Sequence, residues 1–422
     1  MSKWINRAII VFQFLYESRI APFLTIYFWP LWYPFYLWAR KNNICFVVNI
    51  AEGTGQVLPE LDNFFQMRKL HEIDPNKKYV WLRTRNDFSK ALIPLYKSQF
   101  YFACMSNLLY DMALPAILYF HDITHDAGMA GLHWQLPKQG KWHYPKPWQT
   151  YLYTDQKEHV LDLWKQWYER RNKNGTWYPL KEFAGAYLAP DKELQEFLGE
   201  DIANIALVHL KTNIMNATAQ VTDPETYIPA IKYLIDHGYK PVFVGREKMP
   251  EIFNQLPIIN YANSSKANFL HDLQLFSLAK VAITGGSGIA WIADTFNTPV
   301  LYLNSWHVCM SPWSQKCVYV PTRIKNNTGY YLSFFDQFEL YKKTAFSDYG
   351  DVFLFTEYTP INASSEDILC GLTELLALCE HDQELSSLQK KFKTIHPSGW
   401  AQVSQSRVSN DFLRNNMQIA RL

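Results

Sequence analysis

The sequence predicts an α/β protein with two Rossmann-like domains facing a cleft, preceded by a hydrophobic membrane-associating segment. Three observations carry this. Short apolar, β-branched runs alternate with helical periodicity, the pattern of parallel-sheet units. The length of 422 residues exceeds what one hydrophobic core usually holds. One stretch near the amino terminus is long, uncharged and aromatic.

That stretch, residues 20–39, reads IAPFLTIYFWPLWYPFYLWA: 20 residues without a charge, bounded by Arg19 and by Arg40 and Lys41. The length is just enough for a bilayer. Pro22, Pro30 and Pro34 each remove a helix donor, however, and nine aromatic side chains suit the headgroup boundary better than the hydrocarbon centre. The expectation for residues 1–43 is monotopic attachment at the cytoplasmic leaflet, with a true span or a covered hairpin as alternatives.

The first domain is expected over 44–190. ICFVVNI (44–50) reads as a buried strand, Gly53 and Gly55 follow, and VLPELDNFFQMRKL continues as a helix. Residues 79–83, 100–105 and 116–120 supply further strands, and a helical segment lies around 159–171. The stretch 172–203, with Gly175, Pro179, Gly185, Pro190 and Gly199, reads as the interdomain connection.

The second domain, 191–422, is more regular. Strands are expected at 206–211, 240–244, 258–261, 281–284 and 300–303. Between the first two, Tyr227, Ala230, Ile231, Leu234 and Ile235 fall on one helical face, with Gly238 placed for a left-handed stop. That helix opens either at Thr226, with Pro229 in its first turn, or at Asp223 and Pro224, with Pro229 as a kink. Successive βα units need right-handed crossovers, hence a mostly parallel sheet whose ligand site lies beyond the carboxyl ends of its strands.

Composition narrows the function. Net charge is +2, with no basic run interleaved with aromatics, so nucleic acid is not an expected partner. The six cysteines form no CxxC pair and meet no ligand-spaced histidines, which argues against a disulfide framework and a zinc site. A reducing, cytoplasmic compartment follows.

Chemistry concentrates in TGGSGIAWIADTFNTPVLYLN (284–304). A strand ending at Thr284, a turn through Gly285, Gly286, Ser287 and Gly288, and a helix after it present unpaired amides and a positive dipole end, which together attract an anion. Lys211 and Arg246 follow neighbouring strands and are expected to converge on the same charge, with Gly245 preceding Arg246. His209, Tyr261 and Asn304, at or near strand ends, are candidate contacts to base or ribose.

The segment AITGGSGIAWIADTFNTPVLYLN resembles the donor-site motif of GT-B-fold glycosyltransferases, particularly the heptosyltransferase-like group, and GQVLPEL (55–61) is similar to the glycine-rich first loop of that group. LVHLK, YIPAIKYLIDHGYKPVFVG and YTPINASSEDI also look like a set of putative bacterial polysaccharide glycosyltransferases of this fold. The resemblance covers most of 200–420 and fragments before it. It implies inverting, metal-independent transfer of a sugar from a nucleotide-sugar donor to a glycan or lipid-linked acceptor, with no cofactor; no DxD pair lies in a suitable loop.

Departures from the pattern matter. Gly286 stands where the group carries Asp, Trp291 where it often has His, and Lys211 where the polysaccharide set tends to have Arg. Gln56 occupies the place of the residue that looks like the group's catalytic Asp, and an amide cannot take a proton at neutral pH. Glu52 in the same loop is therefore the first candidate base, and Asp122, beside His121 and His125 in FHDITHD, is the second. A nonhydrolysing nucleotide-sugar epimerase and a catalytically silent binding protein are the competing readings. The epimerase reading wants paired glutamates where this chain has Ile292, Ala293 and Asp294.

Overall fold

The structure, a computed structural model, describes residues 29–48, 54–84, 87–105, 124–126, 157–175, 177–199, 202–212, 221–305, 313–343, 357–397 and 399–422. Glu52 and Asp122, residues 20–28 of the amino-terminal stretch, and the strand expected at 116–120 lie outside them. The chain divides into two compact units, residues 1–160 and 161–422.

In the first unit β1 (Ile44–Val48), β2 (Lys78–Thr84), β3 (Tyr101–Met105) and β4 (Thr124–Asp126) form a parallel sheet in the order β3-β2-β1-β4. The apolar runs became strands because both faces are covered. Val47 and Trp81 are fully buried, and the Thr54–Lys69 helix packs Phe64 against Tyr79 and Phe65 in a parallel stack with Tyr96. Burial pushes the Tyr96 hydroxyl well up from its ordinary value, as expected of a core tyrosine.

The Trp29–Lys41 helix lies against β1 through Phe35, which stacks on Phe46, and through buried Ala39. Tyr33, Leu37 and Trp38 remain exposed, Trp38 at 52%. Among the described residues no helix is long and apolar enough to cross a membrane.

The second unit is organised by a seven-stranded sheet, β13-β10-β9-β8-β5-β6-β7, in which every pairing is parallel. Its strands are β5 (Ile205–Val208), β6 (Lys240–Phe243), β7 (Ile259–Asn260), β8 (Val281–Gly285), β9 (Val300–Ser305), β10 (Cys317–Pro321) and β13 (Arg407–Val408). The chain runs outward from β5 to β6 and β7, returns to the other side of β5 as β8, and then runs outward again through β9 and β10. The strand order therefore reverses between β5 and β8, and a crevice opens outside the carboxyl ends of strands at such a switch point. β11 (Arg323–Asn326) and β12 (Tyr358–Ile361) form a separate antiparallel pair.

The helix after β5 combines both expected openings. Asp223 accepts from the Glu225 amide and starts a 3-10 turn, Pro224–Tyr227, and the α-helix Ile228–Asp236 follows with Pro229 in its first turn. Proline costs nothing there because the amide it lacks has no helical partner.

The stretch 172–203 differs from the linker expected of it, because it packs with the second unit. Pro179 opens a short helix, Pro179–Ala184, and Asp191 caps another, Lys192–Leu198. Asp191 also accepts from His271 Nε2 at 2.9 Å, and Gln274 Nε2 donates to the carbonyl of Ala189 at 2.9 Å. From the preceding helix, Lys157–Asn174, Arg171 inserts into the core and pairs with Asp294. Both are almost fully buried. The guanidinium is 4.5 Å from the Trp313 ring centroid, while Asp294 also accepts from the Ser314 amide at 2.8 Å. A buried pair is tolerable only when so completely partnered.

Candidate functional site

At the switch point β5 and β8 run in register, Val208 opposite Ile283, and the His209 amide extends the ladder to the carbonyl of Ile283 at 2.9 Å. Val244 does the same from β6 to the carbonyl of Val208 at 3.0 Å. The first residues beyond these strands therefore share one sheet edge. His209 and Lys211 follow β5, Gly245 and Arg246 follow β6, the glycine turn closes β8, and Asn304 lies near the end of β9.

The turn has the strand, turn and helix form expected of it. β8 ends at Gly285, Ser287 is the N-cap with extended backbone (φ −142°, ψ 170°), and the helix Gly288–Phe296 follows. Its amides are not all open, which narrows the expectation. Ser287 N–H donates to the carbonyl of Gly285 at 2.7 Å, and Gly285 lies in the β8–β9 ladder. The Ile289 amide is capped by Ser287 Oγ at 3.3 Å. The amides of Gly286 and Gly288 make no hydrogen bond among the described residues. Tight packing does not explain Gly285, since a Cβ there would find only the Leu303 carbonyl oxygen at 3.9 Å.

His209 is buried between two partners. Its Nδ1 is 3.5 Å from Ser287 Oγ, and its Nε2 is 3.5 Å from Glu247 Oε2. Burial by itself would raise the Glu247 carboxyl. The hydrogen bond and charge of His209, with the amides of Glu247 and Arg246, instead hold it down at about 2. Gly245, at φ +113°, turns the backbone so that this carboxylate reaches the imidazole. Asn263 braces the loop by donating to the Glu247 carbonyl at 3.1 Å and accepting from the Met249 amide at 2.8 Å. The result is a fixed line of polar groups, Ser287, His209, Glu247, across the mouth of the switch point.

The other expected residues fall into two groups. Lys211 is half-buried and bridged to Val221, while the Arg246 side chain is exposed and makes no ion pair among the described residues. Tyr261 lies outward at the end of β7, fully buried. Its hydroxyl donates to the Asn268 carbonyl at 3.0 Å and accepts from the Asn268 amide at 3.1 Å, so it serves the start of the Phe269–Leu278 helix. Asn304 is 1% exposed with φ 52°, and its Oδ1 accepts from the Ala363 amide at 2.7 Å.

Two acidic residues were not singled out from sequence. Glu247, in GREKMP, looks like part of a solvated charge run; the usable signal was an acid two positions beyond a strand-ending glycine. Asp272 is the other. Burial pushes its carboxyl up to about 6, against the opposing influence of Tyr261, Arg246 and His271. Among the described residues no cluster of His, Cys, Asp or Glu could hold a metal ion.

No protein-family model matches this chain, and no curated protein matches it. Among solved structures it is similar to the E. coli ADP-heptose lipopolysaccharide heptosyltransferase II, at 14% identity and a TM-score of 0.44, covering 80% of this chain and 100% of that one. It is similar also to a glycosyl transferase family 9 protein of Veillonella parvula, at 11% identity and a TM-score of 0.42 over 80% and 98% of the two chains. The E. coli heptosyltransferase WaaC with ADP matches at 13% identity and a TM-score of 0.38, over 71% and 99%.

Proposed function

We propose that this protein is a glycosyltransferase whose second unit holds a nucleotide-activated sugar by its diphosphate. The observation that carries the reading is the glycine turn at the switch point. There two backbone amides, a helix N-terminus, Lys211 and Arg246 share an edge with buried His209 and its half-buried partner Glu247. As the bond to the sugar breaks, negative charge grows on the diphosphate, and preformed donors stabilise it without reorganising. Glu52 and Asp122 are the candidate bases for the acceptor hydroxyl.

The transferase reading is favoured over epimerisation by Asp294. An epimerase of this fold wants a free carboxylate pair in the helix after the turn, whereas Asp294 is buried against Arg171 and the Ser314 amide. The acceptor we propose is a glycan or lipid-linked saccharide of a bacterial surface polysaccharide. It is reached from the inner face of the membrane through residues 20–39, whose described part exposes Tyr33, Leu37 and Trp38 beside Arg40 and Lys41. Release of nucleotide from radiolabelled nucleotide sugars, in the presence of lipid-linked acceptors, tests the assignment. Transfer of label to the acceptor supports it, and interconversion of the donor sugar without release supports the epimerase.

A further inference from the structure

Two asparagines, Asn304 in β9 and Asn362 just after β12, each have one half of the side-chain amide anchored and the other half buried without a partner. Asn304 Oδ1 accepts from the Ala363 amide, and the other half of the amide, Nδ2, is buried with no hydrogen bond. Asn362, the residue before Ala363, donates through Nδ2 to the Val221 carbonyl, and its own carbonyl accepts from Arg323 at 3.1 Å. Its Oδ1 is likewise buried and unpaired. The anchors fix both amide orientations, so neither can flip to relieve the other. The Ala363 bond places one unpaired donor and one unpaired acceptor on adjoining residues. Thr284, the last residue before the glycines, adds a third buried polar group without a partner, its hydroxyl.

Native folds rarely leave such groups unpaired. The chemistry of what completes them is restricted. A phosphate or carboxylate oxygen satisfies Asn304 Nδ2 but cannot donate to Asn362 Oδ1, and an ammonium group does the reverse. A hydroxyl donates and accepts, and neighbouring hydroxyls on one ring serve both amides together. The position agrees with this. Val221, held by Asn362, is bridged to Lys211, and Asn304 follows Leu303, which pairs with Gly285 of the turn.

We propose that Asn304 and Asn362 bind hydroxyls of the sugar carried by the nucleotide; this rests on the diphosphate reading of the turn. A site that hydrogen-bonds a hydroxyl discriminates strongly against ligands lacking it, because its own buried groups are then left unpaired.

The test is calorimetric titration of the full chain with UDP, GDP and ADP and with their glucose, galactose and mannose conjugates. The measurements are repeated on Asn304→Asp, which keeps the acceptor for Ala363 and removes the donor. In the parent, at least one conjugate binds about tenfold or more tightly than its free diphosphate. In Asn304→Asp that advantage, taken against the same variant's affinity for the free diphosphate, falls to about twofold or less. An advantage that survives the substitution, or a parent that binds diphosphates but prefers no conjugate, overturns the inference and leaves the diphosphate reading standing. A parent that binds no diphosphate at all overturns both. If Asn304→Asp does not fold, monodeoxy versions of the preferred conjugate on the parent protein decide. Loss of affinity at one or two ring positions supports the pair, and equal affinity throughout overturns it.

Discussion

A Cβ on Gly245 would stand 2.6 Å from Cδ2 of His209, closer than real side chains approach one another. The glycine at the end of β6 and the histidine at the end of β5 therefore form one unit. The left-handed backbone at Gly245 carries Glu247 back to the imidazole, and the absence of a side chain leaves room for the ring. Gly245→Ala is expected to lower stability by about 1–3 kcal/mol through strain at positive φ and displacement of a buried ring. Denaturant unfolding measures the loss, and nucleotide affinity should fall with it.

The Arg171–Asp294 pair makes the strongest stability prediction. Replacing Arg171 with Met strands a buried carboxylate and should cost about 3–5 kcal/mol. The double variant Arg171→Met, Asp294→Leu should recover much of that loss. Melting curves of both variants check the point, and equal instability of the two would show that the aromatic contacts of Arg171, not its charge, hold the helix.

Asp272 gives a pH dependence with a definite sign. Burial raises its folded carboxyl from the ordinary 3.8 to about 6, so the folded state holds its proton more tightly than the unfolded chain does. Stability from this group is present below the unfolded value and is lost as pH rises through about 6. Asp272→Asn removes the penalty, so its stability relative to the parent should improve between pH 4 and pH 7 by roughly 1–3 kcal/mol. A pH-independent difference would refute it.

Membrane attachment is tested at the described end of the hydrophobic stretch. Leu37→Ala with Trp38→Ala removes exposed apolar surface, and partition into anionic vesicles should weaken by about tenfold or more. Unchanged sedimentation with vesicles would place the attachment elsewhere.

Much of this architecture was legible because its signals are local. The run VAIT followed by glycines and a helix gives strand, turn and N-cap in consecutive residues, and β5 follows from an uninterrupted apolar run. What escaped depends on distant partners. Arg171 and Asp294 are 123 positions apart, and nothing near either marks the pair. The glycines and prolines of 172–203 suggested a linker, yet Pro179 and Asp191 start helices there, and only His271 and Gln274, far along the chain, show where those helices pack. β13 is two residues long and exists because β10 offers it an edge. Tyr261 sits at a strand end, where a ligand contact is a fair expectation, but Asn268 takes both functions of its hydroxyl.

The diphosphate proposed for the turn at Gly286 is tested directly by the melting temperature of the parent and of Gly286→Val against increasing UDP, GDP and ADP. A ligand at one hundred times its dissociation constant stabilises the folded state by about 2.7 kcal/mol, so at least one diphosphate should raise the parent's midpoint by several degrees. The bulky side chain should abolish that rise while the unliganded midpoint stays within a few degrees. No rise with any diphosphate, or an equal rise in both proteins, would mean that no diphosphate sits at this turn.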